Sequence, residues 1–169
     1  VKGRQGKCIA AGVGGAITGR SANVFIIDDP HKNPEEAHSK SIRDGIYNWY
    51  KSVALTRLAP DGAIVIIMTR WHEDDLAGRL LKEEGHKWTV INFPAFAEKN
   101  DPLGREEGEA LWKSRFNADV LNEKKEELGH YMFSALYQQN PQPEEGTIFM
   151  KSWFRYFRIE LEYYVLLKP

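Results

Sequence analysis

Two adjacent carboxylates, Asp28 and Asp29, follow the apolar run Val24-Phe25-Ile26-Ile27. A strand that ends in paired acids sets them at the C-terminal edge of a sheet, where ligands bind in open α/β folds. Oxygen ligands of this kind suit a hard cation such as Mg2+, and a second acid beside the first can polarise a water for attack on a phosphate. The competing reading is a turn, Asp28-Asp29-Pro30, that caps the next segment, and these residues alone leave the two evenly matched. A second apolar run, Ala63 to Met68, leads into Thr69-Arg70-Trp71-His72-Glu73-Asp74-Asp75. A hydroxyl at Thr69 is placed to sense a γ-phosphate and pass its presence to the following helix. Glu73, Asp74 and Asp75 read instead as complements to the positive N-terminus of that helix, with Thr69 or His72 as its cap. His72 and these acids make a poor metal site, because consecutive residues face different ways.

The glycine-rich stretch Gly12 to Gly19 ends at Arg20. It is not GxGxxG and it precedes a strand, so a dinucleotide fingerprint is unsupported. Its glycines permit tight turns near a phosphate or a neighbouring subunit, and Arg20 is either solvated or directed at a phosphate. Gly6-Lys7 looks like the end of a phosphate-binding loop, yet Cys8 stands where Ser or Thr belongs and Val1 where the first Gly belongs. No other GxxxxGK[ST] occurs.

The elements needed to position these residues are those of an α/β fold. Strands are expected at Cys8–Ala11, Val24–Ile27, Ala63–Met68 and Trp88–Phe93, the middle two continuous as if covered on both faces. A long helix starts at Asn33, with Pro34 at the first helical position and Glu36 at capping-box spacing. Ile42, Ile46, Trp49, Tyr50 and Val53 form its apolar face, and it ends before a turn at Pro60-Asp61-Gly62. A second helix, about Asp74 to Glu84, stops at Gly85. The order is that of a βαβ layer. After a loop at Asn100 to Gly104, helical patterns lie near Asn117–Leu128 and Tyr131–Gln139, with a break at Asn140 to Pro143. The tail from Thr147 to Leu167 is rich in aromatic residues.

Composition narrows the class. With 169 residues, 42% hydrophobic, and 23 Lys plus Arg against 24 Asp plus Glu, the chain has one domain's length, a net charge of −1 and no mark of disorder or coiled-coil repetition. No run approaches the roughly 20 apolar residues that span a bilayer. Cys8 is the single cysteine, which excludes an internal disulfide and a Cys-cluster zinc site and fits a reducing compartment. The near-zero charge gives no hint of a polyanion partner. The start at Val1, without Met or a signal-peptide pattern, reads as a fragment or trimmed product.

Four stretches together resemble the large subunit of tailed-phage terminases, the ATP-driven motors that package viral DNA: Gly14 to Arg20, Phe25 to Asn33, Ile66 to Ala77 (IIMTRWHEDDLA) and Tyr137 to Pro141. The resemblance covers about residues 12 to 150. It implies a partial P-loop NTPase of the ASCE type, a parallel sheet with flanking helices, over residues 1–145 with a helical linker region. Residues 146–169 would be a linker and the first strand or strands of an RNase H-like nuclease domain. By position, Asp28 matches the Walker B aspartate that holds Mg2+, and Asp29 the catalytic carboxylate, with Glu35 or Glu36 as fallback. Thr69 and Arg70 match the motif that couples hydrolysis to motion, and Arg20 the arginine that reaches the γ-phosphate of a neighbouring subunit. The cofactors implied are ATP and Mg2+. The implied partners are double-stranded viral DNA, the portal protein, the small terminase subunit and further copies in a ring, at the procapsid portal in the host cytoplasm and away from any membrane. The family's phosphate-binding loop would lie upstream of Val1 and most of its nuclease beyond the tail, so this stretch alone is expected to be inactive. Two rival readings remain: a metal-dependent nuclease using Asp28, Asp29 and His72-Glu73, and a non-catalytic DNA-contact module using Lys2, Arg4, Lys7 and Arg20.

Overall fold

The computed structural model describes residues 6–143 except 16 and 18, so the tail expected to lead into a nuclease, together with Lys2 and Arg4, lies outside the described residues. Strand β1 (Ala22–Asp28) is rich in β-branched and aromatic residues and pairs in parallel with β2 (Leu58–Ile67). Parallel neighbours need a long crossover, and here it is helical. Asn33 opens it by accepting the Glu36 N–H at 2.9 Å, with Pro34 next in line. The Glu36 carboxylate returns to the Lys32 N–H at 3.0 Å, one residue earlier than in a capping box.

The expected single helix is broken. Helix α1 (Pro34–His38) ends at Ser39, whose backbone is extended, and α2 (Lys40–Trp49) begins afresh. The break lets Arg43 turn back: its Nη1 donates to the Ala37 carbonyl at 2.7 Å, one of the acceptors a helix end leaves orphaned. The buried stripe is accordingly Arg43, Ile46, Tyr50 and Ala54, while Ile42 faces solvent. A π-helical turn, Tyr50–Ala54, and the short α3 (Leu55–Arg57) complete the crossover.

Asp28 stands opposite Ile67 in the register, so both strands end at one edge. At the other end Asn23 alone faces the four residues from Ala59 to Gly62. The turn expected at Pro60-Asp61-Gly62 is therefore a bulge inside β2, a position that tolerates a proline without an N–H to donate. Phe25, Ile27, Ile64 and Ile66 pack with Ile46, Tyr50 and Ala54 from the crossover and Leu76 and Leu80 from α4 (Leu76–Glu84). Val24, Ile26, Val65 and Ile67 alternate with them and lie exposed, so the described residues cover one face of the sheet rather than two.

Two expected strands are not formed. Residues 8–11 and 88–93 are irregular, and the named sheet has two strands among the described residues. Trp88 still packs against the core, but Val90 and Ile91 are exposed, and an apolar run with no ladder partner does not become a strand. Helix α4 does stop at Gly85 as expected, but without a left-handed turn: Gly85 is right-handed helical (φ −52°) and opens a 3-10 turn, Gly85–Lys87.

A second, smaller core follows. Helix α5 (Ala118–Leu136) is capped by Asn117, whose side chain accepts the Val120 N–H at 3.0 Å, and is kinked at Gly129 (φ 76°), close to the break expected between its two halves. Phe133 lies between Phe96 and Tyr137, its ring stacked on Tyr137 with centroids 5.0 Å apart. Gln138 pairs with the Phe96 backbone through both ends of its amide, accepting at 2.8 Å and donating at 3.0 Å. That pairing gives the Tyr137 to Pro141 motif a structural role. No helix among the described residues is long and apolar enough to cross a membrane.

Candidate functional site

The sheet edge brings Asp28, Asp29 and Thr69 together. Asp28 ends β1 with its carboxylate exposed. Asp29 then adopts φ 38°, the left-handed region that short polar side chains enter at least cost. In that conformation its N–H donates to the Ile67 carbonyl at 2.9 Å, extending the ladder by one residue. Its Oδ1 accepts the Thr69 N–H at 3.0 Å. One aspartate thus ties the ends of both strands.

Arg70, next along, turns inward. Its Nε lies 3.0 and 2.8 Å from the two carboxylate oxygens of Asp75, which is fully buried. Asp75 Oδ1 also accepts the Gly78 N–H at 2.8 Å, so Asp75, not Thr69 or His72, caps α4. His72 instead accepts the Asp74 N–H on Nδ1 at 2.9 Å, closing the turn. Asp74 leaves the helix terminus to bind Arg79 at 2.6 Å and Arg43 at 3.2 Å, and the Arg79 guanidinium holds its carboxyl below the usual carboxylate range. Arg79 also bonds Asp44 at 2.7 Å, so α4 is tied to α2.

Arg20 does not join this group. It is exposed and precedes β1, while Asp28 ends it. At about 3.3 Å per residue the strand alone separates its two ends by roughly 20 Å. Of the fallback bases, Glu35 is exposed, and Glu36 is engaged by the Lys32 N–H, which holds its carboxyl below the ordinary value.

Of the residues at the site, Asp75 sits at the helix N-terminus as expected of the three acids, but as its side-chain cap, and His31 had no expected role. Asp75 is legible in hindsight as an Asp three residues before a helical N–H, the spacing of a side-chain cap. His31 carries no such signal: it is buried, and neither ring nitrogen has a hydrogen-bond partner. Burial pushes its imidazole pKa down.

The exposed Asp28 carboxylate fits Mg2+ held mainly through water and phosphate oxygens, the habit of an ion that keeps much of its hydration. Among the described residues no group of three or more His, Cys, Asp and Glu side chains is gathered to hold a metal by itself. Before Arg20, Gly12, Gly14, Gly15 and Gly19 are exposed, and Gly14 and Gly19 both take positive φ.

A family model described as terminase large subunit, T4likevirus-type, N-terminal, matches residues 5–156. No curated protein matches the chain.

Proposed function

The chain belongs to the family of terminase large subunits, proteins of phage DNA packaging, and we propose that its sheet edge serves ATP hydrolysis coupled to translocation of double-stranded DNA. The observation that carries this reading is the 3.0 Å contact between Asp29 Oδ1 and the Thr69 N–H, at an edge where Asp28 stands free beside it. Asp28 would hold Mg2+ through water, and the bound ion would neutralise charge on the phosphates. Asp29 would orient the attacking water, and Thr69 would register the change because the same carboxylate holds its N–H. Arg20, which precedes β1, would act on a neighbouring copy rather than on its own edge. The wider reading places the full-length protein in a ring at the portal of the procapsid, in the host cytoplasm, with the small subunit and DNA as partners.

The nuclease alternative has less support. That reading needs Asp28, Asp29 and His72-Glu73 around one metal, yet His72 Nδ1 is taken up by the Asp74 N–H, and among the described residues no three His, Cys, Asp or Glu side chains are gathered to hold an ion. The test is Asp28→Asn and Asp29→Asn in the full-length protein, assayed for ATP turnover in Mg2+. Each variant is expected to lose about 100-fold or more in kcat, the scale of a positioned base or metal ligand. Turnover at the wild-type rate in both would sink the reading.

A further inference from the structure

A helix cap needs one acceptor, and Asn serves as well as Asp. Asp75 is a carboxylate with no exposed surface, which is costly unless the charge is paired. What the charge adds over a neutral cap is its hold on Arg70, whose Nε lies within 3.0 Å of both carboxylate oxygens. The packing closes on that pair. A side chain at Gly78 would stand 3.1 Å from Arg70 Nη2 and 1.8 Å from the Glu73 carbonyl, so the first turn of α4 sits directly on the guanidinium. Beyond it α4 is fixed to the core through Leu76 and Leu80 and to α2 through Arg79, with Lys51 joining Glu84 at 3.2 Å.

From this arrangement we infer that Asp75 is a positioning residue for the hydrolytic edge: by holding Arg70 it fixes the adjoining Thr69 N–H against Asp29. The contacts form one covalent and hydrogen-bonded path, Asp29 to Thr69 to Arg70 to Asp75 to α4, with no gap wider than a hydrogen bond. The inference rests on the ATPase reading above.

The test uses the full-length protein and Asp75→Asn, which keeps the cap and removes the charge. The expected result is a kcat for ATP lowered about tenfold with KM within about twofold, the mark of an arrangement needed in the transition state rather than for binding. The double variant Arg70→Gln/Asp75→Asn leaves no lone buried charge, so it carries the test should the single variant fold poorly. It is expected to lose no more than about tenfold, because residues acting as a pair are non-additive. A wild-type kcat in Asp75→Asn or in the double variant overturns the inference, as does a raised KM with kcat unchanged. Active wild-type protein with unaffected variants overturns this inference alone; wild-type protein without ATP turnover overturns the ATPase reading and this inference with it.

Discussion

Asp29 and Thr69 are joined across the end of the sheet, the Thr69 N–H donating to Asp29 Oδ1 at 3.0 Å, and Asp29 reaches that position only by taking φ to 38°. The side chain and the backbone therefore make separate demands. Asp29→Asn meets both, since Asn keeps an acceptor and tolerates the left-handed region, and should change folding stability by less than about 0.5 kcal/mol. Asp29→Ala meets neither and should cost about 1–2 kcal/mol, with Asp29→Gly between them because glycine relieves only the backbone. Urea denaturation of the three variants checks the order. Equal stability of Ala and Asn would mean that the cross-sheet bond contributes nothing.

Two glycines in helices should answer oppositely to alanine. Gly45 lies within α2 and nothing stands within 4 Å of the position a Cβ would take, so Gly45→Ala should stabilise by about 0.5–1 kcal/mol through helix propensity alone. At Gly78 the same Cβ would meet the Glu73 carbonyl oxygen at 1.8 Å, which is backbone and cannot swing aside. Gly78→Ala should destabilise by about 2 kcal/mol or more, despite the better propensity. Paired denaturation curves decide it, and a stabilised Gly78→Ala would show that α4 does not close on the preceding turn as described.

Arg43 tests how far charge at the surface differs from charge inside. It is 8% exposed and supplies the donor for the Ala37 carbonyl, whereas Lys40 pairs with Asp44 at a side chain 77% exposed. Arg43→Met strands a buried acceptor and should cost about 1–3 kcal/mol, while Lys40→Met should stay within about 0.5 kcal/mol. Thermal melts of both variants give the comparison. Similar melting temperatures would count against the buried bond.

What could be read from the chain divides by range. The strand Val24–Ile27, the Asn33 cap and the acids at the edge were legible because each is a local pattern. Trp88–Phe93 has the composition of a strand but not its partner, and pairing is a property of the fold. The stripe on α2 moved by one residue because Arg43 found a carbonyl at Ala37, a contact that apolar spacing does not encode. The grouping of Asp28, Asp29 and Thr69 was expected from two strand ends. The inward turn of Arg70 onto Asp75 was not, since the acids before α4 looked alike in sequence and only packing tells them apart.

His31 makes stability depend on pH near neutrality. Burial pushes its imidazole below the ordinary 6.5; Asp75 and Glu36 pull it partly back up, and Arg43 and His72 press it further down. Between that lowered value and 6.5 the unfolded chain binds more protons at this residue than the folded protein does, so stability falls as pH drops through the window and is level above it. His72 is lowered as well, first by burial and then by Arg43 and His38, and steepens the same window. Asp44 and Asp74, held low by their basic partners, titrate at more acidic pH and keep their contribution there. The urea midpoint should accordingly decline from about pH 7.5 to about pH 5.5. His31→Leu, similar in volume and without a proton to take up, should flatten that decline markedly. It should cost little at the upper end, because neither ring nitrogen gives up a partner. If His31→Leu keeps the wild-type slope, the buried imidazole is not the group that resists protonation, and the dependence belongs to His72.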